Sequence, residues 1–183
     1  INVRSGSTLV LEGSRIACTS HAASSGDLLE VVRASSGGSS FNALAGGAIA
    51  ADGATVRVTD STISGCRASY GGAIHVESSE QEDATLMLNH AILEDNIALP
   101  LCYDIDGTVN CEDDVFVQGG NGGCLHVHRA DATVDTSRLH GCTASSGGAI
   151  TAQSGSDIRL RSSNVTSSRT YVQQGSVAIF VYG

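Results

Sequence analysis

Residues 46–70 read GGAIAADGATVRVTDSTISGCRASY, and this stretch decides the fold. Ile49 and Ala51 alternate with Ala50 and Asp52, and Val56 and Val58 alternate with Arg57 and Thr59. Period-2 alternation marks strands with one buried face. Ile63 opens a third short segment. Gly46-Gly47 and Asp52-Gly53 break the chain between segments, because glycine admits the positive φ of a tight corner. Three short strands and three corners in 25 residues make one coil of a parallel β-helix.

The unit recurs. Gly46-Gly47-Ala48-Ile49 returns as Gly71-Gly72-Ala73-Ile74, Gly122-Gly123-Cys124-Leu125 and Gly147-Gly148-Ala149-Ile150. Gly46 and Gly71 are 25 residues apart, as are Gly122 and Gly147, and the middle gap of 51 is about two periods. A fixed period in this range belongs to stacked repeats, in which one coil cannot bury its own apolar face and several in register can. A second interval agrees with the first. Seven residues separate Leu9 from Ile16, Val56 from Ile63, Leu86 from Leu93 and Ile158 from Val165. Strands stacked about 4.7–4.9 Å apart would set Ile49, Ile74, Leu125 and Ile150 in one internal file. Helical spacing of apolar residues is absent. The fold expected is all-β: a right-handed parallel β-helix of about six coils of roughly 25 residues, with residues 1–183 as a single segment.

Outside the clean units, residues 1–25 read as a partial repeat. Residues 26–45 are less regular, with Leu28, Leu29, Val31 and Val32 as a strand and a Gly/Ser turn leading to Phe41. Glu77 to Asp83 lengthens one corner. An insertion at about 99–121 interrupts the pattern before Gly122, and loops of that size are usually functional or mobile. Inward candidates in the later coils are Leu125, Val127, Ala132, Val134 and Leu139, then Ile150, Ile158, Leu160 and Val165. Both ends are apolar and strand-like, where a solenoid needs polar caps, so the chain is read as part of a longer one.

Composition narrows the function classes. Aromatics make up 4%, Trp is absent, and 22 glycines face one proline, which suits a narrow tube of Ile, Val, Leu and Ala. A net charge of −9 argues against duplex nucleic acid, whose binding rests on neutralising phosphates. All ten basic residues are arginine. No signal peptide or apolar run of membrane-spanning length is present, so direct membrane insertion is not expected. Six cysteines are an even number, which in an extracellular protein reads as disulfides.

The repeats combine Gly-Gly-Ala-Ile with a short apolar-x-x-Asn segment, Leu93-x-x-Asn96 followed by Ala98. Two other coils carry cysteine in the Asn column: Ile63-x-x-Cys66-x-Ala68 and Leu139-x-x-Cys142-x-Ala144. The last has Val165-x-x-Ser168. Over residues 41–170 this resembles the GGA(I/L/V)/FxxN repeats of chlamydial polymorphic outer membrane proteins, and similar β-helix surface proteins of algae and protists. The resemblance implies a right-handed parallel β-helix that serves as an adhesin or surface scaffold.

Candidate sites follow from the columns. His75 and His126 share one outward column and Glu77 and His128 the next, on adjacent strands if residues 71–98 form the preceding coil. Imidazoles and a carboxylate at strand separation suit Zn²⁺, and the same side chains also make a polar outer ladder with no ion. The same alternation places Cys124 outward. In the insertion, Cys102 and Cys111 bracket eight residues and are expected to form a local disulfide. Asp104, Asp106, Asn110, Glu112, Asp113 and Asp114 crowd oxygen ligands of the kind Ca²⁺ takes, although the spacing falls short of an EF-hand; a solvated acidic loop is the other reading. Of the remaining cysteines, Cys66 and Cys142 lie two coils apart, beyond disulfide reach, so buried free thiols are expected. A Cys124–Cys142 pair within one coil stays open, as does the pairing of Cys18. Asn164-Val165-Thr166 is the only N-glycosylation sequon.

Together these features predict an extracellular or cell-surface structural or adhesive protein with no required cofactor. Its partners would be other copies or domains stacking on open coil ends, and glycans. The alternative is a polysaccharide-binding or polysaccharide-cleaving β-helix. Catalysis is not expected: no paired acids stand at a defined separation, and Gly-x-Ser-x-Gly occurs nowhere.

Overall fold

The computed structural model describes residues 1–18, 45–103, 116–170 and 178–182. The chain winds as a right-handed parallel β-helix whose coils stack in chain order. The first sheet holds six parallel strands: Asn2–Val3, Ile49–Asp52, Ile74–Glu77, Leu125–His128, Ile150–Gln153 and Ile179–Tyr182. Coils are numbered one to six by these strands. The second sheet stacks Thr8–Glu12, Thr55–Thr59, Thr85–Asn89, Asp131–Asp135 and Asp157–Arg161, and the third stacks Arg15–Ala17, Thr62–Ser64, Ile92–Glu94, Arg138–His140 and Asn164–Thr166.

A fourth sheet was not anticipated. Arg67–Ala68, Ile97–Ala98, Thr143–Ala144 and Arg169–Thr170 are two-residue strands between the third sheet and the next Gly-Gly pair. Two residues are too short for alternation to show in a sequence. Coils two to five therefore have four strands each instead of three.

The register makes columns of like residues. Ile49, Ile74, Leu125, Ile150 and Ile179 pair in one file, and the first four are fully buried. Val56, Leu86, Ala132 and Ile158 form a second file, and Ile63, Leu93, Leu139 and Val165 a third. Burying a Val, Leu or Ile completely contributes roughly 1.5–3 kcal/mol, so these files are the main source of cohesion. Leu160 keeps its inward parity, paired with buried Val134, and is 38% exposed because it lies in the last second-sheet strand among the described residues and no strand there covers it.

The two glycines of each pair have different duties. Gly71 has φ +62, a left-handed conformation, and a Cβ there would strike the Ile74 carbonyl. Gly72 has an ordinary φ, but a Cβ would meet the Gly123 carbonyl of the next coil and the Ile97 backbone at 2.6 Å. The seam where the fourth sheet turns into the first is thus too narrow for any side chain. At the opposite corner, serines act as clips. Ser137 Oγ accepts the Ala91 amide of the coil below (3.0 Å) and donates to the Asp135 carbonyl (2.7 Å). Ser61 and Ser163 repeat both bonds.

The inner cysteines correct the free-thiol expectation. Cys18–Cys66 joins coils one and two, and Cys124–Cys142 closes across coil four, with Cα separations of 4.8 and 5.4 Å. Cys124 is fully buried and points inward, against its outward assignment, because it precedes the strand and alternation does not yet govern it. The insertion opens as an antiparallel hairpin of Pro100–Tyr103 with Phe116–Gly119. The expected Cys102–Cys111 disulfide and the candidate calcium ligands Asp104, Asp106, Asn110, Glu112, Asp113 and Asp114 lie outside the described residues, as does the strand at 28–32.

Candidate functional site

The outer face of the first sheet carries the densest polar cluster. Strand pairing sets His75 beside His126 and Glu77 beside His128, so the four candidate residues come together as the columns required. His75 and His126 are only 8% and 3% exposed, so this outer column is shielded from solvent. Tyr70, at the seam just before Gly71, leans over them with ring centroids 6.2 Å from His75 and 5.2 Å from His126.

Their donor atoms face one another in pairs. His75 Nδ1 lies 2.8 Å from His126 Nδ1, with the rings 12° from parallel. His126 Nε2 lies 3.1 Å from Gln153 Oε1, an oxygen that only accepts. His126 therefore carries its proton on Nε2, and its bare Nδ1 accepts from His75 Nδ1–H. Burial, then the neighbouring His75, pushes the His126 pKa down to about 3, which keeps the ring neutral.

Glu77 is the second hub. Its Oε1 takes hydrogen bonds from His128 Nδ1 (2.9 Å) and the Arg129 guanidinium (2.8 Å), and its Oε2 lies 3.5 Å from His75 Nε2. The His75 imidazole, opposed by partial burial and reinforced by His128 and Arg129, holds the Glu77 carboxyl well below the usual carboxylate range. An ionised carboxylate only accepts, so His128 Nδ1 carries the proton. His128 Nε2 lies 2.9 Å from Ser154 Oγ, on the corner just after the fifth first-sheet strand.

The donor atoms of this arrangement are turned to one another. His75 and His126 aim their Nδ1 atoms at each other, while His128 and Arg129 occupy the same oxygen of Glu77 on the other side. No group of three or more His, Cys, Asp or Glu able to hold a metal ion occurs among the described residues. The Zn²⁺ reading of His75, Glu77, His126 and His128 gains no geometric support.

Tyr70, Arg129, Gln153 and Ser154 were missed as members of this cluster. Extending the Glu77–His128 column by one coil reaches Gln153, and the next residue is Ser154. Tyr70 follows from no alternation, since it belongs to the seam and pairs there by isolated bridges to Ala45 and Asn121.

A separate polar cavity of about 320 Å³ lies near the third and fourth sheets, lined by Asp95, His140, Gly141, Thr143, Ser167 and Arg169. Asn164, the sequon asparagine, is exposed at the start of the last third-sheet strand. No helix among the described residues is long and apolar enough to cross a membrane. No family model, no curated protein and no solved structure matches the chain.

Proposed function

We propose that the protein is a structural or adhesive component of an extracellular or cell-surface scaffold. The observation that carries this reading is the pair of disulfides inside the tube, Cys18–Cys66 and Cys124–Cys142. Disulfides persist in oxidising compartments and are rare where thiols are kept reduced. The repeat that resembles bacterial and protist surface proteins points the same way, and so does the architecture: a solenoid is a stiff rod with long faces for contact. Apolar surface at the last described coils, with inward-parity Leu160 at 38% and Val181 at 68% exposure, offers places for a further domain or copy to stack. Exposed Asn164 belongs to the same reading as a glycan acceptor. The test is membrane-impermeant biotinylation of intact cells, together with alkylation before and after reduction. Labelling of the intact protein and cysteines blocked until reduction support the proposal. A protein reached only after lysis, with free thiols, overturns it.

The polar cavity favours glycan binding as a second reading. The depression is open and its lining polar, and Arg169 beside hydroxyls of Thr143 and Ser167 suits an acidic sugar. One carboxylate, Asp95, is present instead of the pair that hydrolysis needs, so binding is favoured over cleavage. Calorimetry with uronate oligosaccharides, repeated on Arg169→Ala, decides it: heat that survives the substitution, or none at all, removes this reading.

A further inference from the structure

Glu77, His128 and Ser154 come from coils three, four and five: the parallel register pairs Glu77 with His128 and His128 with Gln153, and Ser154 is the next residue, on the corner. Ser154 Oγ lies 2.9 Å from His128 Nε2, and His128 Nδ1 lies 2.9 Å from Glu77 Oε1. A hydroxyl on one imidazole nitrogen and a carboxylate on the other is the arrangement that activates a serine. We propose that Ser154 is a nucleophile toward carboxylic esters and activated phosphonyl groups, with His128 as its general base and Glu77 as the residue that orients His128.

The tautomer of His128 supports this assignment. Glu77 is bonded by Arg129 as well as His128, so it is held as an acceptor and fixes the proton of a neutral His128 on Nδ1. The His128 lone pair then sits on Nε2, facing the Ser154 hydroxyl. Ser154 is exposed, so an acyl group can approach it from solvent, while the His128 and Glu77 side chains are 27% and 33% exposed and partly shielded from competing water. Nothing about packing requires this line. The neighbouring corner serine, Ser156, spends its hydroxyl on backbone, accepting the Ala130 amide and donating to the Gln153 carbonyl.

The chemistry balances without a cofactor. Ser154 Oγ attacks the ester carbonyl carbon, and its proton passes to His128 Nε2. The bond to the leaving alcohol breaks, and the alcohol takes that proton. Water then attacks the acyl-serine, gives a proton to His128, and Ser154 leaves with that proton restored as the carboxylic acid departs. Nothing is oxidised or reduced. The expectation that the chain is no enzyme rests on the lack of paired acids at a defined separation and of a contiguous nucleophile motif, and a line built across three coils leaves no such motif. The scaffold reading stands or falls independently of this one.

The probe is a fluorophosphonate, which forms an Oγ–P bond as fluoride leaves. Mass spectrometry of the arginine-bounded fragment 139–159 should locate one adduct on Ser154. Ser154→Ala should abolish it, and His128→Gln should slow it about 100-fold or more, the share a general base contributes. Glu77→Gln should slow it less and move the pH profile of the rate, which a purely structural role would not do. His90→Gln, on another corner, should leave the rate unchanged. Circular dichroism of each variant separates loss of reactivity from loss of fold. No adduct on Ser154 of the folded protein, or equal rates in wild type and folded His128→Gln, overturns the proposal.

Discussion

Asn96 occupies in coil three the inward place that Cys66 holds in coil two. Its Oδ1 accepts the Cys66 amide at 2.9 Å, and its Nδ2 donates to the Ile63 carbonyl at 3.2 Å. The side chain is fully buried, so these bonds have no solvent substitute. Asn96→Leu keeps the volume and removes both bonds. Urea unfolding should show a loss of about 2–3 kcal/mol, the cost of stranding buried backbone groups.

The two disulfides should act in proportion to the loops they close. Cys124–Cys142 spans 18 residues and Cys18–Cys66 spans 48. Loop-closure entropy gives about 3 kcal/mol for the first and about 4 kcal/mol for the second. Paired Cys→Ser replacements, compared by thermal melting with and without reductant, should keep that order.

Acid should weaken the fold, and the onset belongs to His126. Its pKa falls from 6.5 to about 3 on folding, so below about 6.5 the unfolded chain takes up a proton that the folded chain refuses. That contribution is complete above pH 6.5 and is lost as pH falls toward 3. Glu77, also held low, adds a loss of the same sign below its ordinary 4.5. The groups facing His126 are His75, His128, Tyr70 and Gln153. Between pH 7 and 5 stability should drop by about 2 kcal/mol, and His126→Asn should remove most of that slope. Urea midpoints at the two pH values check it.

The serine clip has a gap at Ala91. In that column Ser61 and Ser163 each accept an amide from the coil below, and Ser137 accepts that of Ala91 itself. Ala91→Ser supplies the missing acceptor for the Ser61 amide and should raise stability by about 1 kcal/mol. Gly72→Ala, by contrast, drives a methyl into the Ile97 backbone and should cost about 3 kcal/mol or more. Thermal melts of the two variants should shift in opposite directions.

The fold was readable because burial in a stacked tube repeats. Val56, Leu86 and Ala132 keep one inward parity over three coils, and the glycine pairs mark each turn. The fourth sheet was hidden because Arg67–Ala68 and its fellows are too short to alternate. Cys124 was misplaced because parity was carried one residue past the strand's first member. The His75–Glu77–His126–His128 neighbourhood was legible from spacing alone, while the buried state of His75 and His126 was not. Tyr70, which packs against both rings, sits at the seam outside any strand. Ser154 was invisible for a related reason: its partners sit 26 and 77 residues earlier in the chain.

The hairpin of Pro100–Tyr103 with Phe116–Gly119 leaves the coil after the fourth-sheet strand Ile97–Ala98 and returns just before Gly122-Gly123. Beside it Ala45, Tyr70, Asn121 and Ser146 pair as a parallel ladder along the seam. Guest peptides grafted there would all be displayed along a single ridge of the rod, leaving the remaining flanks free to lie against a neighbour.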